Sequence, residues 1–315
     1  MPVISMTVDK ARCHFESHPT ASRRPNRDER VISPVLLYRS ESHSVYSGIL
    51  PSRGDGCGSL CHPNVVIKLA RNRRAMQSLA REHSMYTGKL RSLQGIYIPR
   101  YHGLYYNRNG RGPLACIVLE YCNDPVGHFS LLKKEFKSQL VEAVTAIHTL
   151  GVTHRHISEG HVLDHDGRPK IIDFGLACEE KCQLRIDLCQ GDVAPSPADV
   201  GCRELDILCT VIRFWRPSSM RFGCLYFPVQ WMKEPWKLAD AASRYPDPEF
   251  RMRMACEAVE KHMARWYPDD WEKERATYRL KTERLCAEYV RRMADPEVEA
   301  RASEVSRPCM FFRRF

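Results

Sequence analysis

Between residues 31 and 121 the hydrophobic positions come mostly in short runs, and beyond residue 130 they take up helical spacing. Val35-Leu36-Leu37-Tyr38, Ser44-Val45-Tyr46 and Val65-Val66-Ile67-Lys68-Leu69 predict three strands. The last two flank an enlarged turn over 51–64, with three glycines, two prolines and two cysteines. In 75–90, Met76, Leu79, Met85, Tyr86 and Leu90 suit one face of a helix. A loop and strand over 96–105, a turn over 107–112 and a fully apolar strand over 115–121 follow. The strongest helical pattern is 131–150, apolar at 132, 136, 140, 144, 147 and 150 and closed by Gly151. Val162-Leu163 and Ile171-Ile172 around Asp166-Gly167 predict a hairpin, because Asp-Gly suits the tight turn. A short apolar helix over 205–214, irregular Pro- and Trp-rich packing loops over 216–248, and helix over 249–302 complete the pattern. No period is found over 1–30, which reads as a disordered tail, and 303–315 reads as a second tail.

A chain of 315 residues, 43% hydrophobic, has material for one large core or two modest ones. No apolar run approaches the ~18 residues of a membrane span. The N-terminus lacks the apolar segment and cleavage site of a secretory signal, which predicts an intracellular protein, cytoplasmic or nuclear. Fourteen cysteines then read as reduced thiols; Cys57/Cys61 and Cys178/Cys182 are CxxxC spacings without the matched CxxC pairs of a zinc module. Histidines crowd at 148, 154, 156, 161 and 165, where metal ligation competes with other roles. A net charge of +10 suits nucleic acid, yet the basic residues are scattered among carboxylates and form no aromatic-interleaved motif. A solvated basic surface is the simpler account, so nucleic acid and membrane are not expected partners.

The chemistry concentrates in 154–175, HRHISEGHVLDHDGRPKIIDFG. Its hairpin has a polar loop at the entry and the acidic Asp173-Phe174-Gly175 at the exit, at the same end, where a metal-bound phosphate fits. Upstream, Lys68 interrupts an apolar strand and needs an anion nearby, because a buried unpaired ammonium is costly. On its own it reads equally well as a lysine snorkelling from an edge strand.

This order resembles that of the protein kinases, in which a V-A-I-K lysine, a helix glutamate, H-R-D-x-x-x-x-N and D-F-G follow one another. Val66-Ile67-Lys68, Glu82, His154-Arg155 and Asp173-Phe174-Gly175 carry the likeness, within an ordered pattern that runs from 35 to 177. Glu82 to Tyr86, with Ile98-Pro99 to Gly103-Leu104, is similar to compact fungal kinase-like proteins. The resemblance implies an α+β, bilobed protein-kinase-like fold. A small β-rich N-lobe with one αC helix would span 31–122, and a mainly helical C-lobe with C-terminal helices 123–302. It also implies ATP and Mg²⁺, with Lys68, Glu82 and Asp173 at the phosphates, Asp173 as the metal ligand, Leu119 as gatekeeper and backbone groups of Glu120 and Cys122 at the adenine.

The pattern is damaged at the catalytic loop. His156 stands where the family has its catalytic Asp, beside Arg155, and His161 stands where it has the metal-binding Asn. Ser158 replaces the usual Lys, and Tyr38, Ser40 and His43 stand where the phosphate-loop glycines belong. A proton-accepting residue contributes about 10²–10⁴ in rate, and magnesium prefers oxygen to imidazole nitrogen. The resemblance therefore implies a pseudokinase acting through an unidentified protein partner. The competing expectation is an active or weakly active phosphotransferase, on protein or a small molecule, using Asp173 with His156 as an atypical base. Ala194-Pro195-Ser196 matches a decayed A-P-E, and Asp199 or Asp206 is the expected buried acid of the next helix.

Overall fold

The computed structural model describes residues 3–8, 11–17, 28–50, 64–107 and 112–294. The fold is mixed α+β. The chain divides into two compact units, one of residues 1–190 and 196–214, the other of 191–195 and 215–315. The expected lobe boundary at 122/123 falls inside the first unit.

In the first unit, strands β1 (Val3–Val8), β2 (Ala11–Ser17), β3 (Asp28–Arg30), β4 (Ile32–Arg39), β5 (His43–Ile49), β6 (Val65–Ala70), β7 (Tyr101–Asn107) and β8 (Ala115–Glu120) form one sheet. Its order is β3-β1-β2-β7-β8-β6-β5-β4. All neighbours are antiparallel except β1 and β3. Only Val31 separates β3 from β4, and its N–H donates to Ser5 O (3.0 Å). The sheet therefore curls until its two ends meet as consecutive stretches of chain. Ile4, Met6, Cys13, Phe15, Val31, Tyr46, Val65, Ile67, Leu69, Tyr105, Cys116 and Val118 pack together as its buried core.

Over 3–8 and 11–17 this corrects the reading of 1–30 as a patternless tail, since Ile4, Met6, Val8, Cys13 and Phe15 alternate inward along two core strands; 1–2, 9–10 and 18–27 lie outside the described residues. The strands expected around 35–38, 44–46, 65–69 and 115–121 all form. The turn over 51–64 lies, except for Asn64, outside the described residues, as does most of the turn over 107–112.

Helix α1 (Arg73–Thr87) begins at Asn72, whose side chain accepts from Ala75 N–H (2.9 Å). Its buried side is Ala75, Leu79, Glu82, Met85 and Tyr86. Helix α2 (Lys134–Thr149) buries Phe136, Leu140, Val144 and Ile147, as their spacing predicts, and ends before Gly151. A two-residue strand, β9 (Val152–Thr153), leads to the hairpin of β10 (Val162–His165) and β11 (Arg168–Ile171). At its tip Asp166 and Gly167 both have positive φ (54° and 80°). That is the geometry Asp-Gly favours. After β11 the chain makes the Asp-Phe-Gly turn, pairs as β12 (Cys178–Glu179) with β9, and forms α3 (Pro197–Val200) and α4 (Arg203–Val211).

The second unit contains the hairpin β13 (Ser219–Phe222) and β14 (Leu225–Pro228), with helices α5 (Pro235–Ala241), α6 (Pro248–Trp266) and α7 (Pro268–Met293). The hairpin and α5 correct the expectation of irregular loops over 216–248. Met252, Ala255, Val259, Tyr278, Cys286 and Tyr289 share its core with Met220 and Leu238. Charged residues of α6 and α7 pair on exposed faces, as in Arg253–Glu249 (2.7 Å) and Arg275–Glu272 (2.7 Å). Such pairs stand in water, where screening leaves them little net effect on stability. No helix among the described residues is long and apolar enough to cross a membrane. The segments 295–302 and 303–315 lie outside the described residues.

Candidate functional site

Side chains alternate across a strand, so burying Val65, Ile67 and Leu69 inside the curled sheet turns Lys68 to its other face. There α1 presents Glu82, which is fully buried. Lys68 Nζ lies 3.0 Å from Glu82 Oε2 and 2.6 Å from Asp173 Oδ1. Burial opposes the Lys68 charge, but the two carboxylates outweigh it and raise its pKa. Burial likewise pushes the Glu82 carboxyl up, against the pull of Lys68. Asp173 is less enclosed; burial opposes its charge, yet Lys68 brings it down to about 2. The cation thus bonds both carboxylates, at the shorter distance to Asp173.

Asp173 adopts the left-handed conformation (φ 67°, ψ 65°). Asp tolerates that region better than most residues. The turn it begins is clasped by α1. Arg81 Nη1 donates to Gly175 O (2.7 Å), and a Cβ on Gly175 would collide with Ser78 Oγ. Phe174 is fully buried, edge-on to Tyr86 (5.5 Å) and to His154 (4.9 Å), while Tyr86 stacks on Tyr101 (5.5 Å). One aromatic column thus connects β7, α1, the turn after β11 and the loop after β9.

That loop is fixed by a set of hydrogen bonds. His154 Nε2–H donates to Ile172 O (2.9 Å), and its Nδ1 accepts from His156 N–H (3.2 Å). Burial lowers the His154 pKa to about 4, consistent with the neutral ring these bonds require. Glu204 of α4 accepts from His154 N–H (3.0 Å), Arg155 N–H (2.5 Å) and His148 Nε2–H (2.7 Å). Burial would raise its carboxyl, but the bond from His148 heads the contributions that bring it below the usual range. His148 is raised in turn to about 9, because bonds to Cys202 and Glu204 outweigh its burial. Glu204 thus takes the part expected of Asp199 or Asp206. Asp199 is exposed and hydrogen-bonds Ser196, the N-cap of α3, and Asp206 is only half-buried.

His161 and His156 also converge here. His161 Nε2 faces Asp173 Oδ2 at 3.5 Å, its Nδ1 lies 2.8 Å from His156 O, and the two rings are 4.5 Å apart. Arg155 has positive φ (69°) and an exposed side chain, so its contribution to the loop is its N–H to Glu204. Glu120 ends β8, where its carboxylate accepts from Arg100 N–H (3.0 Å) and its own N–H donates to Arg100 O (2.9 Å). Cys122 lies two residues on, buried, its thiol pushed up to about 12 by burial.

The turn between β4 and β5 closes on itself. Ser40 N–H donates to His43 O (2.8 Å) and His43 N–H to Ser40 Oγ (3.1 Å), so neither amide is open to a phosphate. His43 pairs with Ala70 on the face that carries Lys68. Its Nε2 is buried without a partner among the described residues, and burial, then Lys68, lowers its pKa.

As magnesium ligands the side chains fit poorly. Among the described residues of the cluster, Asp173 is the one half-exposed carboxylate, with one oxygen on Lys68 and the other facing an imidazole. Magnesium favours several oxygens in near-octahedral geometry. Lys68, held by Glu82, fits an anion once Asp173 moves aside. Sequence reasoning missed Glu204, Arg81, Ser78 and Tyr101. The first could have been sought as an acid in the first turn of α4; the others show only once α1 has docked.

No protein-family model matches the chain, and no curated protein matches it.

Proposed function

We propose that the chain is a protein-kinase-like domain that has lost phosphoryl transfer, a pseudokinase acting through a protein partner. The observation that carries this reading is Lys68 held between Glu82 and Asp173, beside a loop with His156 at the proton-accepting position. The lysine and two acids come from three separate elements, in the order the kinase motifs require. His156 carries no fixed negative charge, and His161 offers nitrogen where magnesium favours oxygen. On this reading ATP reaches Lys68 only by displacing Asp173 from it. The closed Ser40–His43 turn withholds its backbone donors from the phosphates, so nucleotide affinity is weak.

A thermal-shift titration with ATP, with and without magnesium, tests the proposal. A small shift is expected only at millimolar ATP, little changed by magnesium and absent in Lys68→Met. Labelled-phosphate transfer by the wild type that disappears in Asp173→Ala would overturn it in favour of a working phosphotransferase with His156 as base.

A further inference from the structure

We propose that His148, Cys182 and Cys202 bind a zinc ion that fastens the segment after Asp-Phe-Gly to helices α2 and α4. The three residues are remote in sequence and come from the end of α2, the stretch after β12 and the N-cap of α4. Their ligating atoms all lie within 4.8 Å of one another. Cys182 Sγ is 3.3 Å and Cys202 Sγ 3.5 Å from His148 Nδ1. With Zn–S about 2.3 Å and Zn–N about 2.05 Å, a tetrahedral site needs an N···S edge of about 3.6 Å and an S···S edge of about 3.8 Å. Movements of a few tenths of an ångström to an ångström would complete it.

The chemistry of the donors selects the metal. Two thiolates and an imidazole suit zinc, not magnesium or calcium. Two thiolates also neutralise the dication, so the metal with its donors carries no net charge where His148 and Cys202 are buried. Both thiol protons, and any proton on Nδ1, leave for solvent as the metal enters. The other ring nitrogen is already fixed, because Nε2 donates to Glu204 at 2.7 Å. A carboxylate on the far nitrogen is the arrangement that orients metal-bound imidazoles. This bond leaves Nδ1 as the ligating atom, the one facing both sulfurs. A cavity of about 510 Å³ is lined by His148 and Cys182, with Lys89, Thr149 and Glu180. Water from this cavity would supply the fourth ligand.

The inference stands apart from the kinase reading, because none of the three residues belongs to the Lys68 cluster. The experiment uses the full chain purified under reduction, its zinc content measured by mass spectrometry and its cobalt-substituted form by visible absorption. One zinc per chain and the d–d and thiolate charge-transfer bands of tetrahedral cobalt are expected. Both should be lost in Cys182→Ser and Cys202→Ser, and kept in Cys57→Ser/Cys61→Ser. Glu204→Gln should weaken zinc binding by about 10- to 100-fold. Cys182 is half-exposed, so its variant carries the test if Cys202→Ser fails to fold by circular dichroism. Zinc content unchanged in Cys182→Ser, no uptake by the reduced wild type, or a Cys182–Cys202 disulfide in peptide maps of reductant-purified protein would each overturn the proposal.

Discussion

Replacing Lys68 by Met should destabilise the first unit by about 3 kcal/mol, and adding Glu82→Gln should restore much of the loss. Lys68 has a 13% exposed side chain and Glu82 a 1% exposed one. Removing one partner of a buried pair costs about 3–5 kcal/mol, because the other charge is left uncompensated. Burial already raises the Glu82 pKa, so Glu82 takes up a proton in the variant and the cost falls at the lower end. Asp173, 35% exposed, stays hydrated and adds little. Glu82→Gln alone keeps an amide oxygen for Lys68, whose bond to Asp173 remains, so it should cost about 1 kcal/mol. The double variant has no buried charge at the α1 position and should be about 1–2 kcal/mol more stable than Lys68→Met alone. All five tryptophans lie in the second unit, so indole fluorescence would miss the change. Amide hydrogen exchange of α1, read by mass spectrometry across a urea series, reports the right element. The claim that Lys68 neutralises Glu82 would be refuted by additive costs. It would also be refuted by Lys68→Met lying within about 0.5 kcal/mol of wild type, the scale of an ordinary surface substitution.

Phe174→Ala removes the central ring of the aromatic column and should cost about 3–5 kcal/mol, seen as a lower urea midpoint for exchange in α1. Gly175→Ala should destabilise the same contact by about 1–3 kcal/mol through overpacking on Ser78 Oγ; Ser78→Ala, which deletes that oxygen, should recover most of it by the same measurement. Glu204→Ala leaves the N–H groups of His154 and Arg155 without their acceptor and should cost about 2–4 kcal/mol, with faster exchange at those two amides. Unchanged exchange there would show that the loop does not depend on α4.

The elements legible in the sequence are those whose partners or periods are local. The hairpin around Asp166-Gly167 carries its register in its own turn, and α2 carries seven buried residues at helical spacing. That Lys68 needs an anion is legible because an ammonium in an apolar strand is costly unpaired; Glu82 and Asp173 as the anions come from the resemblance to the kinase motifs. Strands β1 and β2 do show alternation, in Ile4, Met6 and Val8 and in Cys13 and Phe15. The polar residues between and after them mask it, and β2 docks on β7, about ninety residues downstream. Choosing Glu204 over Asp199 or Asp206 requires knowing which side of α4 meets the loop after β9, and that is decided by packing. The hairpin of β13 and β14 turns at Gly223, a signal outweighed by the many prolines and tryptophans around it.

The position of Lys68 follows from the core behind it. Val65, Ile67 and Leu69 fill the curled sheet, and β6 is registered on both sides, with Lys68 opposite Val45 of β5 and Ile117 of β8. A one-residue slip of β6 would drive the ammonium into that core and turn apolar residues toward Glu82. The packing that closes the sheet is therefore what aims the cation at α1 and at Asp173. On the proposed reading this explains why a chain without a proton-accepting Asp can still depend on all three charges. They hold α1, the Asp-Phe-Gly turn and the sheet in one arrangement, and that arrangement is what a partner protein would meet.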